Sequence, residues 1–149
     1  MISAVNRKFL NIFERKGQKV KLGTLLDQTV NCVSATYDFG VSGGAVSTIV
    51  LATLGVPANA VVTQIVIDAL TTVTSGGSAT IQLKAGSTAL TDAVGKASFT
   101  GQATLALASS ATAIKVSAAS DLQITIATAA LTAGKVRFIV KYYLSQDNK

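Results

Sequence analysis

The sequence predicts an all-β protein, an antiparallel sandwich or barrel of about eight strands. Several short segments alternate apolar and polar residues, as strands with one buried face do. Turn signals that contain glycine separate these segments. Apolar residues make up 49% of the chain but include no tryptophan, so the predicted core is mainly aliphatic.

The positive charge of the chain is concentrated at one end. Residues 1–22 hold six of the thirteen Lys and Arg residues against one acid, a net charge of +5, whereas the rest of the chain carries seven bases and six acids. A basic arm of this kind can dock on an acidic protein surface and become ordered there. We therefore interpret residues 1–31 as a basic N-terminal arm and linker, and residues 32–149 as a β-sandwich domain.

A short amphipathic helix is predicted within this arm, at residues 3–16. Its apolar residues recur at helical spacing: Val5, Phe9, Ile12 and Phe13. A helix this short is marginal in isolation and needs a surface to cover its apolar side. Residues 18–28 are interpreted as an extended linker. We expect a soluble protein with no secretion signal and no membrane span, because polar residues interrupt every apolar run.

The alternation also predicts which strand residues face the core. They are Val33, Ala35, Tyr37, Phe39 and Val41 in the first strand, then Ile81 and Leu83, then Leu122, Ile124 and Ile126, and finally Val136, Phe138, Val140 and Tyr142. Turns are predicted at residues 42–45, 55–59, 75–78, 117–121 and 132–135. Residues 87–111 lack the alternation and are predicted to form a long ordered loop, with Phe99 as its aromatic anchor and one helical turn starting at Thr91.

One predicted strand, within residues 60–73, is apolar on both faces. Its odd positions form the predicted core face: Val61, Ile65, Ile67, Ala69 and Val73. Either the arm or the 87–111 loop covers the second face, or another subunit does, since large exposed apolar patches are uncommon on monomers. Ile139 and Tyr143 are apolar residues on the polar face of the last strand, and they favour cover by another subunit. The predicted oligomer interface is Val62, Val66, Leu70, Ile139 and Tyr143.

The residue types present exclude most catalytic chemistry. The chain has no histidine, the usual general base near neutral pH and the commonest metal ligand. Its one cysteine, Cys32, has no imidazole to activate it and is predicted to be a buried core thiol. Asp38 and Asp68 lie on outward strand faces and are interpreted as solvated acids. We therefore expect no enzyme activity, no metal and no cofactor.

Nucleic-acid readout is not expected either. The predicted domain lacks a basic stripe with interleaved aromatic residues. The Gly pairs at 43–44 and 76–77 have no GK[ST] motif after them, so we interpret them as hairpin turns and not as a phosphate cradle.

Residues 43–86, GGAVSTIVLATLGVPANAVVTQIVIDALTTVTSGGSATIQLKAG, resemble small structural proteins of tailed bacteriophages. The similar features are a Gly-rich turn and strand, a short G-V-P-x-x-A loop, and a long strand that ends in T-T-x-T-S-G-G-S-A-T-I-x-L. A further match is A-L-T-A-G-K at residues 130–135, before the final strand. The resemblance covers roughly residues 37–143.

The resemblance implies an antiparallel jelly-roll-like β-sandwich and a virion protein assembled in the host cytoplasm. Decoration (cement) proteins of this group form homo-oligomers, commonly trimers, on the capsid surface and bind the major capsid protein. Under this implication the capsid-binding residues of the arm would be Arg7, Lys8, Phe9, Ile12, Phe13, Arg15, Lys16, Lys19 and Lys21. The alternative is a head-fibre, tail-fibre or baseplate module that binds a receptor or carbohydrate, for which exposed aromatic platforms are expected.

Overall fold

The computed structural model describes residues 30–145. They form strands that we number β1 to β10, one short helix α1, and two 3-10 helical turns. The strands are β1 Asn31–Asp38, β2 Thr48–Val56, β3 Ala60–Ser75, β4 Thr80–Ala85, β5 Thr88–Ala89, β6 Val94–Gly95, β7 Gly101–Leu105, β8 Ile114–Val116, β9 Ser120–Ala127 and β10 Leu131–Leu144; α1 is Phe39–Ser42, and the 3-10 turns are Lys96–Ser98 and Ala108–Ser110.

The strands make two antiparallel sheets packed face to face. The first sheet has the order β1-β10-β3, and both β7 and β8 pair with the far edge of β3. The second has the order β2-β9-β4, and both β5 and β6 pair with the far edge of β4. If each of these short pairs is taken as one interrupted strand, the order is that of an eight-stranded jelly roll, so the predicted fold class is confirmed.

The core lies between the sheets and is built from the alternate residues of the strands. Its largest fully buried side chains are Tyr37, Phe99, Phe138, Ile65, Ile67, Ile81, Leu83, Leu90, Leu122, Ile124, Ile126 and Val56. Most of the inward residues predicted from the period-two pattern are among the buried or partly buried residues. The rings of Phe99 and Phe138 meet edge to face, with centroids 6.2 Å apart.

A bulge in β3 changes which residues of this strand face inward. Val62 lies opposite Tyr142 in β10 and Gln64 lies opposite Lys141, so Thr63 has no partner. An unpaired residue reverses the alternation beyond it. Val62, predicted to face outward, is therefore fully buried in the core, which makes that prediction wrong.

The first strand is shorter than the alternation indicates. The chain turns into α1 at Phe39, where a carboxylate oxygen of Asp38 accepts a hydrogen bond from the Gly40 N–H at 2.9 Å. The turn places Val41 in solvent with 85% of its surface exposed, so its predicted inward position is wrong. The Tyr37 hydroxyl donates to the carbonyl of Gly43 at 2.7 Å, which ties the end of the turn to β1.

Three further predictions need correction. Cys32 is exposed on β1, not buried, because it lies on the outward side of the alternation. Residues 132–135 are not a turn but part of β10, where register shifts and the positive φ of Gly134 absorb the irregularity. Residues 87–111 are not a plain loop, since they contain β5, β6, β7 and both 3-10 turns, and Thr91 starts no helix.

Candidate binding surfaces

The described residues contain no cluster of three or more metal-ligating side chains, and Asp38 is held in a structural ion pair. The Nζ of Lys135 lies 2.9 Å from the Asp38 carboxylate. Hydrogen bonds from Lys135, and then from the Gly40 backbone, lower the pKa of Asp38. Burial, with a further contribution from the Asp38 charge, raises the pKa of the neighbouring Tyr37. Burial, hydrogen bonding and the ion pair account for both shifts, so no substrate is needed to explain them.

The second outward acid of the first sheet also faces a base. Asp68 lies directly opposite Arg137 in the register of β3 and β10, and Arg137 lies opposite Thr36 on its other side. The outer face of this sheet therefore carries Asp38 and Asp68 beside basic residues of β10. No paired-carboxylate site results.

The outer face of the first sheet also carries an apolar stripe, which we define as Leu70, Val66, Ile139 and Tyr143. Val66 and Ile139 are direct cross-strand partners in the register of β3 and β10. Because β3 and β10 are antiparallel, Leu70 and Tyr143 extend this pair in opposite directions, over about 26 Å at the usual strand rise. Leu70 is 48% exposed and Tyr143 37% exposed. The described residues thus leave both ends of the stripe open to a partner.

All four residues of the stripe belong to the predicted oligomer interface. The fifth residue of that prediction, Val62, is instead buried in the core. The bulge at Thr63 exchanges the roles of Val61 and Val62, so Val61 is the residue opposite Tyr143. Val61 is itself only 8% exposed. The interface remains a prediction, now without Val62.

An open depression of about 440 Å³ adjoins the Leu70 end of the stripe. It is lined by Thr36, Asp38, Val41, Ser42, Leu70, Lys135 and Arg137. Its wall combines two exposed apolar side chains, Val41 and Leu70, with the Asp38–Lys135 ion pair. Sequence reasoning missed this feature because it extended β1 through Val41; the capping preference of Asp38, with Gly40 after it, was the signal that could have ended the strand.

The predicted capsid-binding residues of the arm, from Arg7 to Lys21, lie outside the described residues. Within residues 30–145, no helix is long and apolar enough to cross a membrane.

Comparisons with known proteins identify structures of the same fold. No protein-family profile matches the chain, and no curated protein matches it. The chain is similar to one in the acidic stable capsid structure of Helicobacter pylori bacteriophage KHP30, with a TM-score of 0.52 and 14% identity over 79% of this chain and 90% of that one. It is also similar to a chain of the cyanophage Pam1 capsid asymmetric unit, with a TM-score of 0.51 and 20% identity over 78% of this chain and 86% of that one. What the protein shares with these two phage capsid chains is its fold.

Proposed function

We propose that this protein is a structural protein of a bacteriophage virion, and within that class a decoration protein that binds and stabilises the assembled capsid. The observation that carries the proposal is the fold shared with chains of two phage capsid structures over nearly four fifths of the sequence. The sequence resemblance to small phage structural proteins points to the same class. A rigid sandwich without a catalytic cluster in its described residues suits a role that depends on surfaces.

Two surfaces carry out different parts of this role. The apolar stripe on the first sheet joins copies of the protein into an oligomer, for which we propose a trimer. The basic arm attaches the oligomer to the major capsid protein, with Phe9, Ile12 and Phe13 in apolar grooves between capsid subunits and the arm cations against acidic side chains. Ion pairs between solvent-exposed side chains are individually weak, so each such contact would contribute little.

Repetition makes such weak contacts effective. Once one arm of an oligomer is attached, the others bind at a high effective concentration. A protein that binds only the assembled shell stabilises it by mass action, because free subunits gain nothing from the ligand. The capsid surface is the location that follows from this mechanism.

Binding to purified capsids tests the role of the arm. We expect the full chain to co-sediment with capsids and a variant lacking residues 1–22 to lose most of this binding. A matched control keeps the arm length but reverses its charge, with Arg7, Lys8, Arg15 and Lys16 changed to Glu. Undiminished binding of the deleted variant would refute the proposed attachment.

The oligomer is tested separately by light scattering. Leu70→Asp places a charge at an exposed end of the stripe and should shift the protein to monomers, whereas Thr72→Asp, an exposed position on the same strand, should not. If the wild-type protein is monomeric at all concentrations, the stripe is not a self-association surface.

The alternative, a receptor-binding or carbohydrate-binding module, lacks a supporting feature in the described residues. Phe99, the aromatic residue expected in a loop, is 1% exposed and packs on Phe138. Tyr37 is fully buried. Among the large exposed hydrophobic residues within 30–145 the aromatic one is Tyr143, and it lies at an end of the apolar stripe that we assign to self-association.

A further inference from the structure

The outer face of the first sheet has a fixed order of residues along its two central strands. We call each outward-facing cross-strand pair of β3 and β10 a level. From the depression to the opposite end, the levels are Lys135–Thr71, Arg137–Asp68, Ile139–Val66, Lys141–Gln64 and Tyr143–Val61. Neighbouring levels are about 7 Å apart, because two residues of β10 separate them. Any second copy that covers the apolar stripe must also cover the charges between its apolar levels.

These charges differ from level to level. Asp68 and Arg137 place opposite charges at one level, and no ion pair joins them within residues 30–145. Lys141 has a neutral side chain opposite it on β3. The charge of Lys135 is already paired, because its Nζ lies 2.9 Å from the Asp38 carboxylate. A second copy would therefore meet an acid and a base at the Asp68 level, but a base beside a neutral side chain at the Lys141 level.

The direction of the symmetry axis decides which levels meet. Rotation about an axis parallel to β3 and β10 keeps every level at its own height, in a dimer as in a trimer. Asp68 of one copy then faces Arg137 of the next, and the apolar levels of the copies meet each other. A two-fold axis that crosses the strands at the middle of the stripe would exchange the two ends of the face. It would bring Lys141 of each copy against Arg137 of the other, which is a contact of like charges.

We propose that copies of this protein associate around an axis parallel to β3 and β10, with the apolar stripe in the contact and the Asp68–Arg137 level opposite the same level of the neighbour. The proposal rests on the self-association proposed above and specifies the part of the second copy that each level meets. Burial of the apolar levels supplies most of the affinity. The charges mainly select the orientation, because exposed ion pairs are weak whereas contacts of like charges are disfavoured.

The same axis places the N-terminal ends of all described domains on one side of the oligomer. Asn31, the first residue of β1, lies opposite Tyr142, so each domain begins at the Tyr143 end of the face. Around a parallel axis these starting points share one height. With exchanged ends they would lie at opposite ends of the interface, about 26 Å apart along the strands. Attachment of several arms to one capsid surface requires the first arrangement.

Cross-linking of single-cysteine variants tests the orientation in the full chain. Cys32→Ser removes the exposed native thiol, and Thr71→Cys or Gln64→Cys then adds one thiol near either end of the face, outside the stripe. With a short bismaleimide, each variant should form covalent products with itself. When the two variants are co-expressed, the Thr71–Gln64 product should be roughly tenfold rarer than the like products, because the two positions are held about 20 Å apart along the strands.

Mass spectrometry of the cross-linked peptides distinguishes the outcomes. Products that join like positions support the proposal. A predominant product between positions 71 and 64 would mean that the ends are exchanged, which overturns it. An oligomer that cross-links at neither position would associate through another surface, which also overturns it.

Charge reversal gives an independent measurement, because the two arrangements predict opposite signs. Around the parallel axis, Arg137→Asp faces Asp68 of the neighbour and should raise the dissociation constant of the oligomer about tenfold in low salt. With exchanged ends it would face Lys141, and the dissociation constant would fall. Adding Asp68→Arg to the same chain restores the opposite charges and should recover the association. Lys84→Asp, on the outer face of the second sheet, is the matched control and should leave the constant unchanged.

Sedimentation of the wild-type protein separates a failure of this proposal from a failure of the proposed function. A monomer at every concentration refutes the self-association and the axis together. An oligomer whose dissociation constant does not rise in Arg137→Asp refutes the axis alone. Neither measurement uses capsids, so attachment through the arm is tested separately.

Discussion

The two flanks of the sandwich are built in different ways. On one flank β1 and β2 lie beside each other as long edge strands of the two sheets. On the other flank the sheets end in the short strands β5 to β8, joined by two 3-10 turns. We call the first the long-strand flank and the second the short-strand flank.

The short-strand flank contributes to the core although it has little regular structure. Leu90, Thr91 and Phe99 are almost completely buried there, and Leu105 and Leu107 are nearly so. Its backbone is fixed by side chains as well as by strand pairing: the Leu83 N–H donates to the Thr91 hydroxyl at 3.0 Å, and the Ser109 N–H donates to the Asp92 carboxylate at 3.1 Å. The comparison shows that regular alternation marks the strands but does not mark all of the residues that stabilise the fold.

The largest effect is expected from Phe99→Ala on the short-strand flank. The substitution removes a ring that is 1% exposed and packs edge to face on Phe138, so the free energy of unfolding should fall by about 3–5 kcal/mol. Phe39→Ala, the same change at a partly buried position beside the long-strand flank, should cost clearly less. Urea denaturation measures both. Equal losses of unfolding free energy in the two variants would contradict the larger contribution to stability that we assign to the short-strand flank.

A smaller effect is expected from Thr91→Val, which keeps the volume of the side chain. The Leu83 N–H would lose its acceptor in a buried site, so the free energy of unfolding should fall by about 1–3 kcal/mol. Thr91→Ser keeps the hydroxyl and serves as the control. A neutral Thr91→Val would mean that the hydrogen bond does not hold this flank together.

The smallest effect, and the one that depends on pH, is expected at Asp38 on the long-strand flank. Because the folded-state pKa is lowered, the charged carboxylate stabilises the fold above its ordinary pKa of about 4, and this contribution is lost as pH falls through the lowered value. Asp38→Asn should therefore be slightly less stable than the wild type at neutral pH and equal to it in strong acid. The pair is exposed to solvent, so added salt should shrink the difference.

Thermal unfolding at several pH values measures this effect. Lys135→Gln removes the ion-pair partner of Asp38. Like Asp38→Asn, it should make the stability of the fold depend less on pH in the acid range. A difference between wild type and Asp38→Asn that grows as pH falls would have the wrong sign for a lowered pKa.

The predictable part of the structure is the part in which side-chain period and strand geometry agree. The inward faces of β4, β9 and most of β10 follow from alternation, because β4 and β9 pair with each other without a register shift and β10 pairs with β3 without one from Val136 to Lys141. Val62 was misplaced because one unpaired residue, Thr63, shifts the alternation, and composition does not indicate where a bulge occurs.

The short-strand flank was missed for a related reason. Its strands are too short to show a period, and its buried positions are separated by Ala, Ser, Gly and Thr, which are equally common in loops. Of the candidate surface, Val66 was predicted because the strand within residues 60–73 is apolar on both faces, and Ile139 because it is an apolar residue on the polar face of the last strand. The depression at Lys135 depends on a chain reversal that the alternation of β1 concealed.

The position of β10 has a consequence for the order of folding. This strand is the last of the described strands in sequence order, yet it lies in the middle of its sheet, between β1 and β3, with which it shares its longest ladders. Neither neighbour can complete its hydrogen bonds until β10 itself has been synthesised. Closure of this sheet is therefore a late event that joins distant parts of the sequence, and such long-range pairing is slow compared with the formation of local turns.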